Sequence, residues 1–237
     1  MQRDKDGVKA QRRSIRILTG VILVILLLAF SSVFYKQNHK FAYADYLDKE
    51  VITFEGEKIL LREFGYYVFE VESFTQKQAL KYHPSDPLDY WNTHFSAGMN
   101  SRFVSEMARQ TAVDTCLGDL VYAAMAGEEG FSLDEEKVRD AKKEASDWYD
   151  RLSKDQRETL GISKEIVTKV VLRRHLAEEY AYEYSGKADL TGYSGDVTQL
   201  LSGGGEYFKD KLQSRYDVKL NEELIEELSF GRITVNK

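Results

Sequence analysis

The side chains of this 237-residue chain best suited to metal ligation or proton transfer are its four histidines, His39, His83, His94 and His175. No two stand at the spacing that sets a pair of imidazoles on one helical face for zinc, so the pattern points away from a metal. His175 precedes Glu178 and Glu179 by one helical turn, a spacing that suits surface electrostatics. His83 and His94 flank Asp86-Pro87-Leu88-Asp89. Acid-base work by Asp86 or Asp89 competes there with a simpler role, Asp86 capping a helix that opens on proline, and the cap is expected. The single thiol, Cys116, excludes an internal disulfide and lies in an apolar stretch without an activating neighbour, so it is expected in the core. There is no G-x-S-x-G elbow and no glycine-rich loop followed by Lys and Ser or Thr. The sequence thus assigns no catalytic, cofactor-binding or metal residue, implies no cofactor, and leads to the expectation that the chain is not an enzyme.

Aromatic residues are the stronger signal: fifteen Tyr, twelve Phe and two Trp, clustered at Phe64-Gly65-Tyr66-Tyr67-Val68-Phe69 and Tyr180-Ala181-Tyr182-Glu183-Tyr184. Successive helical positions point about 100° apart, so such runs are not expected to be buried all round. Some should line a groove or interface, where tyrosine offers rigid apolar area and a hydroxyl. Partly exposed tyrosines at the edge of a core fit the pattern equally, and no peptide-binding residue is singled out.

The framework that positions these residues begins with Ile17 to Tyr35, nineteen residues without a charge. At about 1.5 Å per residue a helix of this length matches a hydrocarbon core of about 30 Å, and it reads as a transmembrane signal anchor. The preceding segment, 1–16, holds six bases and two acids, which predicts a cytoplasmic tail. The remaining 27 bases and 37 acids give the rest of the chain a net charge of −10, against nucleic-acid binding. The expected location is therefore a plasma membrane, single-pass, with the C-terminal domain outside the cytoplasm. A cleaved signal peptide is the alternative, with Ala42-Tyr43-Ala44 as the small-x-small site.

After a linker over 36–50, the body 51–237 is expected to fold as one domain, with a flexible loop at 185–205 where six glycines gather. Val51 to Phe54 reads as a strand, Glu55-Gly56-Glu57 as a turn, and Ile59 as the start of a helix. Further helices are expected from Asp86-Pro87, over Met99 to Met125, from a Ser132/Glu135 capping box, after Ser163 and around Tyr207 to Tyr216. Asp217 to Leu220 alternates like a strand, and Asn221 is expected to cap a short helix.

Phe54-Glu55-Gly56-Glu57-Lys58-Ile59, then Glu63-Phe64, then Gly130-Phe131-Ser132-Leu133-Asp134-Glu135-Glu136-Lys137-Val138 resemble, in that order, the SurA N-terminal and PrsA-like extracytoplasmic chaperones. The match covers roughly Val51 to Tyr184, with a return segment over Tyr216 to Leu228. The resemblance implies a mainly α fold, a SurA-N-like helical domain with a small two-stranded sheet closed by the C-terminal segment. It also implies a bacterial folding helper that binds unfolded or extended segments of exported proteins. The parvulin domain many relatives carry has no room between Gly186 and Glu206, so no prolyl isomerase activity is expected. The alternative is a structural subunit of a membrane or cell-envelope complex that uses the aromatic faces as its interface.

Overall fold

The computed structural model describes residues 41–95 and 101–236. The chain divides between Ala42 and Tyr43, and every element named below belongs to the unit Tyr43–Lys237. A 3-10 turn, Tyr43–Tyr46, leads into strands β1 (Glu50–Phe54) and β2 (Glu57–Leu60). Helices α1 (Leu61–Tyr82), α2 (Pro87–Trp91), α3 (Val104–Glu128), α4 (Glu135–Arg151), α5 (Lys154–Leu160) and α6 (Lys164–Ser185) follow. The chain closes with α7 (Val197–Leu201), a π turn and a 3-10 turn over 208–215, strand β3 (Val218–Leu220) and α8 (Glu222–Glu227).

The sheet has three antiparallel strands in the order β2-β1-β3. This corrects the expected architecture, a transmembrane helix followed by a helical domain with a two-stranded sheet. The third strand arises because Glu55 and Gly56 take φ of 49° and 81°, the left-handed pair of a tight hairpin turn, so Glu57 to Leu60 fold back on β1. Helix α1 therefore starts at Leu61, not Ile59. Among the described residues no helix is long and apolar enough to cross a membrane. The run Ile17–Tyr35 and the tail before it lie outside the described residues, as does Met99.

Helix α1 runs through the middle of the body, beside α3, α4 and α6. Local signals set the helix starts. Asp86 accepts from the Asp89 N–H at 3.2 Å and Ser163 from Ile166 at 3.3 Å, as expected. The α4 cap is Asp134, bonded to the Lys137 N–H at 2.8 Å, rather than Ser132. Ser153 and Gln156 form a reciprocal capping box that starts α5.

Residues 43–49 belong to the body. Tyr43 is buried and its hydroxyl donates to the Leu61 carbonyl at 2.8 Å, so cleavage after Ala44 would remove a packed, hydrogen-bonded side chain. Within 185–205, α7 buries Leu200 and Leu201, and the Tyr122 hydroxyl donates to the Leu201 carbonyl at 2.6 Å. Gly203 has a steric role there: a Cβ on it would stand 1.8 Å from the Asp114 carbonyl oxygen of α3.

Candidate functional site

The first turns of α3, the strand β3 and helix α8 enclose an open cleft of about 400 Å³. Val113, Leu220 and Ile225 supply its apolar surface. Arg102 and Arg109 stand on the α3 side, Glu222 and Glu226 on α8. The walls are fixed by their own hydrogen bonds. Glu106 accepts from the Phe103 N–H at 3.0 Å at the start of α3, and Arg109 Nε donates to the Leu228 carbonyl at 3.2 Å just past α8. Asn221 caps α8 through the Leu224 N–H at 3.2 Å and donates its own N–H to Val51 at 2.9 Å, locking α8 to β1.

Two features of this cleft are unspent. Arg102, Glu222 and Glu226 make no ion pair or side-chain hydrogen bond to another described residue, although the body is otherwise rich in such pairs. The second is the outer edge of β3. Bonds from Glu55 N–H to Asp217 and from Asn221 N–H to Val51 fix the alternation, so Lys219 faces β1. The backbone groups of Val218 and Leu220 face the other way, and no described residue bonds to them. An edge of this kind is a template for a further strand.

The aromatic runs lie elsewhere: the first is buried nearly all round, against the expectation that part of it lines a groove or interface, and the second sits at the edge of the core, the alternative the sequence also allowed. Phe64, Tyr66, Tyr67 and Val68 are all buried because the first half of α1 is enclosed on several sides. The Tyr66 ring meets Trp148 of α4 at 4.8 Å and Phe69 meets the same indole at 5.1 Å. Tyr180 is buried against Phe131 at 5.7 Å, and the hydroxyls of Tyr184 and Tyr207 are 3.1 Å apart. Only Tyr182 of that second run projects fully, at 83% exposure.

A buried polar chain links α1, α3 and α6. The Tyr67 hydroxyl donates to Asp119 at 2.9 Å, and Arg173 donates to Tyr67 at 3.2 Å and to Glu63 at 2.8 Å. Lys169 adds bonds to Glu63 at 3.3 Å and Glu57 at 2.8 Å. Burial pushes the Asp119 carboxyl up to about 6, with Tyr67 and Arg173 pulling the other way. Burial also pushes the Cys116 thiol up to about 12, which keeps it protonated and inert as a nucleophile. Since Asp119, Tyr67 and Cys116 are all buried, the chain of bonds serves packing specificity and offers no place for a substrate.

The histidines are dispersed. His175 Nε2 lies 2.8 Å from Glu144 on α4, while Glu178 pairs with Arg174 and Glu179 with Lys137, so the one-turn pairing expected for His175 does not form. His83 Nδ1 is 3.7 Å from Asp89, and His94 Nδ1 is 2.6 Å from the Ser101 hydroxyl. His39 lies outside the described residues.

Comparison of the chain with protein-family models, curated proteins and solved structures gives no match. The cleft residues carried no motif. Their one sequence signal is the strand alternation of Asp217 to Leu220 running into an acidic helix start, which marks an edge but not what faces it.

Proposed function

We propose that this chain is an extracytoplasmic binding protein of chaperone type, which holds unfolded or extended segments of exported polypeptides without covalent chemistry and without prolyl isomerase activity. The observation that carries the reading is the cleft between α3, β3 and α8, with apolar surface and with charges of both signs and a strand edge that have no partner among the described residues. Those are the elements an extended polypeptide needs: backbone partners, a seat for an apolar side chain, and polar flanks. The resemblance over Val51 to Tyr184 and the uncharged run Ile17–Tyr35 in the sequence support a role in export. The test is suppression of aggregation: full-length protein at a few-fold excess is expected to reduce light scattering from an unfolded client, and unchanged scattering contradicts the reading.

A second reading, a structural subunit of an envelope complex, is favoured by one different surface. Phe74 and Tyr82 project from the last turns of α1 at 66% and 60% exposure, with the Tyr82 and Tyr90 rings stacked 6.4 Å apart. Affinity capture from membranes separates the two, since a subunit brings one stoichiometric partner and a chaperone brings many substoichiometric ones.

A further inference from the structure

Building on the reading of the chain as a polypeptide binder, we propose that the cleft takes an extended segment as a fourth strand on β3. We infer further that it selects segments in which an apolar residue has one acidic and one basic side chain, each two positions away. Three observations converge on this occupant. Val218 and Leu220 turn their N–H and C=O groups away from β1, so a segment laid along this edge continues the ladder β2-β1-β3. Leu220 stands opposite buried Ile52 and lines the cleft with Val113 and Ile225, so a neighbouring residue on that face meets apolar surface. In a strand, positions two apart share a face at roughly 6.6 Å spacing, so the residues on either side reach the walls.

Those walls set the charge order. Helix α8 follows β3 through Asn221, which places Glu222 and Glu226 beyond the carboxyl end of the strand. A basic side chain of the guest belongs there, and an acidic one belongs beside Arg102. Glu106, Arg109 and Gln110 also line the cleft, but each is engaged within the protein, to Phe103, Leu228 and Asp114. The discriminating charges are therefore the three with no partner among the described residues. Because the two walls differ in sign, a guest of one charge order fits and its mirror order sets like charges together. A second copy of the chain is the competing occupant of an open edge, and it would appear as self-association.

Two labelled peptides test this with full-length protein, one with the order Lys-Thr-Leu-Thr-Glu and one with Glu-Thr-Leu-Thr-Lys, each flanked by serines and read by fluorescence anisotropy. One order is expected to bind at least tenfold more tightly than the other, and an Arg102→Glu, Glu226→Lys double variant is expected to reverse the preference. N-methylation of the tighter peptide at alternate residues should abolish binding in one set and spare it in the other. Should the double variant unfold, Glu222→Gln with Glu226→Gln, both exposed, must still weaken the preference at least threefold, Arg102 keeping the remainder. Equal binding of both orders, an unreversed preference, or concentration-dependent self-association that peptide does not relieve overturns the inference while aggregation suppression persists. Loss of all peptide binding together with loss of suppression overturns the polypeptide-binding reading itself.

Discussion

Glu72 and Thr234, 162 positions apart, are joined by two hydrogen bonds of 2.6 Å, from the Thr234 N–H and from its hydroxyl, to one carboxylate oxygen. The other oxygen accepts from the N–H groups of Gly231 at 2.6 Å and Ile233 at 3.1 Å. One fully buried side chain in the middle of α1 thus holds the final segment of the body in place. Burial raises the Glu72 pKa, and these four donors oppose that shift.

Glu72→Gln replaces an acceptor oxygen with an amide group that faces N–H donors. Leaving buried donors unmatched costs about 1–3 kcal/mol each. The variant is expected to lose about 3 kcal/mol of stability and to expose the amides of residues 231–234 to hydrogen exchange. Equal protection in both proteins contradicts the assigned clasp.

Asp119 gives a pH dependence of definite sign. Its ordinary pKa of 3.8 rises to about 6 in the folded protein, so the folded state keeps this proton over a range where the unfolded chain has released it. Its contribution to stability is fully present below about pH 4 and is lost as pH rises through about 6, by about 3 kcal/mol at most. Urea midpoints of wild type and Asp119→Asn between pH 4 and 7.5 should therefore diverge, the wild type losing more on going to neutral pH. Parallel curves contradict the assignment.

Gly203→Ala forces a methyl group onto the Asp114 backbone, which has no flexible side chain to move aside. A loss of about 2–4 kcal/mol is expected, from displacement of the turn that follows α7. Gly186→Ala meets only an ordinary contact, 3.5 Å from the Glu183 carbonyl, and is expected within about 0.5 kcal/mol of wild type. Thermal unfolding of the two variants side by side decides the matter, and equal midpoints would remove the steric account of Gly203.

Local chemistry was legible in the sequence where one residue carries the signal. The caps at Asp86, Ser163 and Asn221, the β1 strand and the short β3–α8 return all appear where propensity and spacing put them. The turn at Glu55-Gly56 was legible, but the second hairpin strand was hidden because Ile59 and Leu60 continue the apolar spacing of α1 backward. The enclosure of the first aromatic run was hidden for a tertiary reason: the N-terminal half of α1 is covered by several elements at once, which no single-helix periodicity announces. The cleft was invisible because its charges come from positions 102 to 226 and meet only when Asn221 pins α8 to β1 and Arg109 reaches the Leu228 carbonyl.

Residue-resolved hydrogen exchange of the full-length protein, with and without an unfolded client, tests the central claim most directly. Client binding at the β3 edge predicts at least tenfold slower exchange at the Val218 and Leu220 amides, with Lys219, whose N–H already faces Thr53, unchanged. Unaltered exchange at Val218 and Leu220 under saturating client, with slowing confined to the end of α1 around Phe74 and Tyr82, would contradict it.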